Sequence, residues 1–205
     1  MYEGGFRVPA LLRWPGKVPA GKVENGIFAS LDWFPTFMAA AGDANIVDEL
    51  KKGKDLGGTT YKVHLDGYNQ LDLITGKGPS NRHEVYYFAE STLGAVRVDD
   101  FKYRFIDQPG GWVGTKAHVD APVLTNLRLD PFERLDFPTN GTLNGSQMYF
   151  TWFQYEFWRF VFVQQEVAKL AMTALEYPPM QKGASFNLEA VKAKIEEAMR
   201  QHAGG

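Results

Sequence analysis

The sequence predicts an α+β chain in which one strand and one helix precede a small antiparallel sheet packed with a long C-terminal helix. Three observations predict it. Apolar residues recur at helical spacing between Leu31 and Ala41, they alternate with polar ones between Glu84 and Ile106, and an apolar run near Met148 passes into an amphipathic stretch ending at Leu175. With 205 residues, 44% of them hydrophobic and 14% aromatic, the chain has material for a sizeable core in one domain or one and a half.

Residues 6–14 read as a strand that Pro9 confines to an edge, a start or a bulge, and Pro15-Gly16 ends it. The helix over 31–41 takes Ser30 or Asp32 as its cap, tolerates Pro35 in its first turn, and places Leu31, Phe34, Met38 and Ala41 on one face. Gly42 closes it. Residues 43–50 add a helical turn or two, and 51–58 form a charged, glycine-rich loop. Three alternating runs follow, 84–90, 93–98 and 101–106, as an antiparallel meander with a tight hairpin at Asp99-Asp100. Lys102 and Arg104 alternate with Phe101, Tyr103 and Phe105, which predicts one wet face and one buried face. Residues 123–129 make a further strand, stopped by Asp130-Pro131. One long buried helix is predicted over 147–175, ended by Pro178-Pro179, and Asn187 caps a last helix carrying Leu188, Val191, Ile195 and Met199.

Composition excludes several functions. A net charge of −2 and a pI near 6.1 provide no basic field for nucleic acid. Cys is absent, which rules out disulfides, thiolate metal sites and a cysteine nucleophile. The apolar run 148–163 is interrupted by Glu156 and Arg159 and falls short of the roughly 20 residues of a membrane span. Glycines and prolines within residues 1–20 leave no apolar region for an export signal.

Few residues stand out for chemistry. His64-x-Asp66 and His118-x-Asp120 have metal-ligand spacing, although aspartates beside loops are commonly turn formers, the preferred reading. The loop holding Trp112, Lys116 and His118 combines an aromatic ring, a cation and an imidazole, which suits contact with the ring and anionic group of a substrate, although an ordinary surface loop is the preferred reading. Gly4-Gly5 admits close backbone approach to an anion, or permits a turn into the strand, and the turn is favoured. Asn140-Gly141-Thr142 and Asn144-Gly145-Ser146 match glycosylation sequons and equally match Asn-Gly turns.

The opening, Met1-Tyr2-Glu3-Gly4-Gly5-Phe6-Arg7-Val8-Pro9-Ala10-Leu11-Leu12-Arg13-Trp14-Pro15-Gly16, resembles a segment of the type I sulfatases of the alkaline-phosphatase-like superfamily. Ser30–Thr36, His64–Asn69, Val96–Tyr103 and Leu127–Arg134 continue the resemblance, in the order seen in the C-terminal third to half of bacterial arylsulfatase-like enzymes. The resemblance implies that residues 1–60 are the end of the large sulfatase α/β domain and 61–205 its small C-terminal domain. It also implies that Tyr2, Glu3, Gly4 and Gly5 lie beside the family active site, and that the chain begins in the middle of the family's sequence.

The family reaction is hydrolysis of a sulfuric ester. It uses a formylglycine made from Cys or Ser in a C/S-x-P-x-R motif, a cation, usually calcium, held by Asp and Asn oxygens, and Lys and His side chains at the sulfate. Neither that motif nor a suitable Asp-Asn pair occurs here, and the Lys that precedes the glycine pair in family members would lie just before Met1. No catalytic or metal residue is therefore expected in this chain, and no cofactor of its own, calcium belonging to the intact enzyme. The expected partners are a sulfate ester in the intact enzyme and either a second copy or the preceding half of the enzyme, with no nucleic acid and no membrane span. An alternative is a non-catalytic binding or self-association module. The resemblance points to a periplasmic or secreted setting.

Overall fold

A computed structural model describes residues 1–89, 92–108, 113–135, 143–177 and 199, with side chains in the helical region from Met148 onward. It is mixed α+β, with small antiparallel sheets and long C-terminal helical structure. The chain divides into two compact units, Pro9–Val85 and Met1–Val8 with Tyr86–Gly205.

In the first of these units, a 3-10 turn at Ser30–Asp32 leads into α1 (Trp33–Ala40), followed by α2 (Ile46–Lys52), the hairpin strands β1 (Lys54–Leu56) and β2 (Thr59–Tyr61), and α3 (Leu71–Thr75). Residues 6–14 form no strand. Val8 and Leu11 are 78% and 100% exposed, and an extended segment becomes a strand only where a neighbour completes its ladder. The predicted apolar face of α1 is also rotated: Leu31 and Phe34 are exposed, while Pro35 and Thr36 are buried. The polar requirement decides this, because the Thr36 hydroxyl accepts the Gln70 N–H at 2.9 Å. The glycine-rich loop predicted over 51–58 is a hairpin instead, turned by Gly57 and Gly58 at φ 66° and 86°.

The other unit is built on a sheet ordered β3-β4-β5-β6, comprising β3 (Glu84–Ala89), β4 (Thr92–Val98), β5 (Phe101–Asp107) and β6 (Ala117–Asn126). The hairpin at Asp99-Asp100 is present, with Asp99 in the left-handed region at φ 50°, which Asp tolerates better than most residues. The fourth strand begins at Ala117 rather than 123, paired with β5 through a register shift between Arg104 and Ile106.

One face of this sheet packs on helix. Val96, Tyr103, Leu124 and Val163 form the buried cluster, with Phe101, Phe105, Trp152, Phe153 and Phe160 against it. The predicted single helix is two, α4 (Leu143–Glu156) and α5 (Phe160–Glu176), separated by a 3-10 turn at Phe157–Arg159. The Tyr149 hydroxyl accepts the Leu124 N–H at 2.9 Å and donates to the Leu124 carbonyl at 3.0 Å, which satisfies backbone groups on the edge strand β6. The helix is not buried all round: Met148 and Tyr155 are 74% and 77% exposed. The helix predicted from Asn187 and the Pro178-Pro179 stop lie outside the described residues, as does the sequon at 140–142, whereas 144–146 fall within α4.

Candidate functional site

Alternation along β5 sends Phe101, Tyr103 and Phe105 to the helix and Lys102 and Arg104 to the opposite face. That face is not wet. Lys102 and Arg104 are each 1% exposed, because two segments distant in sequence, the Glu3–Gly5 3-10 turn and the stretch around Glu133, bring carboxylates over them.

Glu3 is the centre of this layer. Its carboxylate accepts the Tyr87 hydroxyl at 2.5 Å and the Lys102 ammonium at 3.1 Å, and Arg97 stands 3.5 Å away. Its backbone N–H donates to the Glu133 carboxylate, which in turn accepts Lys102 at 3.2 Å. Burial pushes the Glu3 carboxyl upward, but the Tyr87 hydrogen bond and the Lys102 charge outweigh it and hold the group below its ordinary value. Burial and the neighbouring Glu3 push the Tyr87 hydroxyl strongly up, so it stays a donor. Arg104 stacks on the Tyr2 ring at 4.4 Å and lies 3.7 and 3.6 Å from Glu133 and Asp107. Glu133 itself sits at φ 51°, a left-handed conformation that costs a non-glycine residue on the order of 1 kcal/mol.

Above this layer Gly4 and Gly5 are exposed. Neither has a positive φ, and a Cβ on either would meet nothing within 4 Å. A turn is present at the pair, as the favoured sequence reading has it, but it does not require glycine at either position. By contrast, a Cβ at Gly67 would lie 2.1 Å from the Leu31 carbonyl oxygen.

The remaining candidates are dispersed. His118 is exposed on β6 opposite Ile106, not in a loop, because the β5 pairing extends to Ala117. Lys116 is exposed just before that strand, and Trp112 lies outside the described residues. His64 Nδ1 and Asp66 Oδ1 are 3.2 Å apart, a local pair. Among the described residues no three His, Cys, Asp or Glu side chains form a group that could hold a metal ion. Sequence reasoning missed Glu133, Lys102 and Arg97. The signal available was charge at alternate positions of an otherwise aromatic strand.

Comparison with known proteins shows a partial relationship. No family model matches the chain. Rat (Rattus norvegicus) arylsulfatase G is 32% identical over 143 residues, 64% of this chain and 24% of that protein, and human (Homo sapiens) arylsulfatase A is 31% identical over 148 residues, 64% and 26%. The crystal structure of PsFucS1 sulfatase from Pseudoalteromonas sp. superposes with a TM-score of 0.57 at 25% identity, over 82% of this chain and 30% of that one. The chain is a partial homologue of the type I sulfatases. It spans about a quarter of the length of the curated sulfatases it matches, in their C-terminal portion. In sulfatase terms, the buried layer lies directly under the Tyr2-Glu3-Gly4-Gly5 motif that carried the resemblance.

Proposed function

We propose that this chain is the C-terminal portion of an arylsulfatase-like sulfatase whose intact form hydrolyses a sulfuric ester, and that these 205 residues do not catalyse the reaction alone. The observation that carries the reading is similarity to sulfatases along a sequence with no Cys and no Ser in a Ser-x-Pro-x-Arg setting, so that nothing can become the aldehyde nucleophile. In this reading Tyr2, Glu3, Gly4 and Gly5 flank the ester, and Trp112, Lys116 and His118 contribute to the mouth that receives it. Residues 1–60 end the large domain and 61–205 make the small one. Calcium belongs to the intact enzyme.

The test is hydrolysis of 4-nitrophenyl sulfate with calcium by the purified chain. Release of nitrophenol no faster than in a buffer blank is expected; turnover that scales with protein and persists after a second purification would contradict the inactive part of the reading.

Self-association is the second reading, favoured by the exposure of Phe157, Trp158, Val161 and Phe162, and of Met148 and Tyr155. Light scattering showing a monomer across the accessible concentration range, with no binding of an apolar dye, would dismiss it.

A further inference from the structure

We propose that Lys102 and Glu133 are positioning residues that hold the Glu3-Gly4-Gly5 turn as a preformed backbone surface. In the sulfatase reading that surface flanks the ester; the latch itself rests on this chain's own geometry, and its test does not depend on that reading.

Glu3 is gripped at two points. Its N–H is fixed by Glu133 and its carboxylate by Lys102 and Tyr87, which together set both the position and the direction of the peptide. Lys102 bridges the two carboxylates and also lies 4.3 Å above the Tyr87 ring, while Phe6 packs edge-on to that ring at 4.9 Å. The grip therefore draws on β3, β5 and the segment after β6. Glu133 holds its place in a left-handed backbone conformation, which persists only where surrounding contacts over-determine it.

What the grip presents is distinctive. Gly4 and Gly5 are exposed, and nothing in the described residues requires them to lack a Cβ. A glycine required by this fold looks like Gly67, or like Gly94, where a Cβ would fall 2.2 Å from the Met1 sulfur. An anchored turn bearing two residues whose bare backbone the fold itself does not use is suited to close approach by a group outside the chain.

The turn carries its own reporters, since the N–H groups of Gly5, Phe6 and Arg7 donate to Tyr2 and Glu3 carbonyls at 3.0, 2.9 and 2.7 Å. Amide hydrogen exchange on the full chain tests the latch with Lys102→Met and with the milder Tyr87→Phe, which keeps the ring and removes the hydroxyl. Exchange at Gly5, Phe6 and Arg7 should accelerate at least about tenfold in Lys102→Met and about threefold in Tyr87→Phe, with the amides of β5 changing less than about twofold. Glu133→Gln, which keeps an acceptor for the Glu3 N–H, should accelerate the turn less than Glu133→Ala. Unchanged turn amides, or a uniform acceleration of turn and sheet, would overturn the proposal. If Lys102→Met does not fold, Tyr87→Phe and the Glu133 pair decide. Gly4→Ala should leave turn exchange and thermal midpoint as they are, and its unfolding would show that the glycine is structural and likewise overturn it. Absence of any aryl sulfate chemistry bears on the sulfatase reading and leaves these outcomes untouched.

Discussion

Each of the two units buries an acid against a guanidinium or ammonium group, and the two satisfy it differently. In residues 9–85, Arg82 grips Asp32 through Nε at 2.9 Å and Nη2 at 2.6 Å, and the same carboxylate accepts the N–H groups of Ala29 and Tyr68 at 2.9 and 2.8 Å. The Arg82 guanidinium also donates to the Asp66 and Glu84 carbonyls. Burial disfavours its charge, but the Asp32 bonds more than offset that and raise its pKa. In the other unit Lys102 serves two carboxylates, while Arg104 lies 3.7 and 3.6 Å from Glu133 and Asp107. A closed knot fixes a fold. A layer in which Lys102 is shared by Glu3 and Glu133, placed under an exposed turn, fixes one segment.

The comparison can be broken from its strong side first. Asp32→Ala leaves Arg82 buried without its counter-charge and should destabilise residues 9–85 by about 3–5 kcal/mol in urea titration; a loss under about 1 kcal/mol would make the knot ornamental. A buried neutral anchor gives the intermediate scale: Tyr149→Phe strands the Leu124 N–H and carbonyl and should cost about 1–3 kcal/mol by thermal melting. The smallest effect belongs to Gly5→Ala, whose Cβ meets open space and which should fall within about 0.5 kcal/mol of the parent.

Much of the scaffold was legible in residues 84–106, where alternation and the Asp99-Asp100 turn locate three strands. Local sequence cannot say which face is wet, because the carboxylates that bury Lys102 come from Glu3 and Glu133, 99 and 31 residues away. The β1–β2 hairpin carried a recognisable Gly57-Gly58 signal, obscured by the charged residues before it. Residues 6–14 show the opposite error, since an apolar extended pattern specifies a strand only where a ladder partner exists. The motif residues Tyr2–Gly5 were legible as a group. Their division of labour was not, because a buried Glu3 and an exposed glycine pair look equally polar in sequence.

The most direct test follows the Glu3 carboxyl itself by carbon NMR as pH is lowered. A group whose folded pKa is depressed contributes stability above its unfolded value and loses it as pH falls through the folded one. The groups facing it are Tyr87, Arg97 and Lys102, with Glu133 on its backbone N–H. Titration of Glu3 below the usual carboxylate range, coincident with loss of amide protection at Phe6 and Arg7, is the predicted result. Titration at the ordinary value, with the turn still protected after Glu3 is protonated, would contradict the claim that buried charge holds this segment in place.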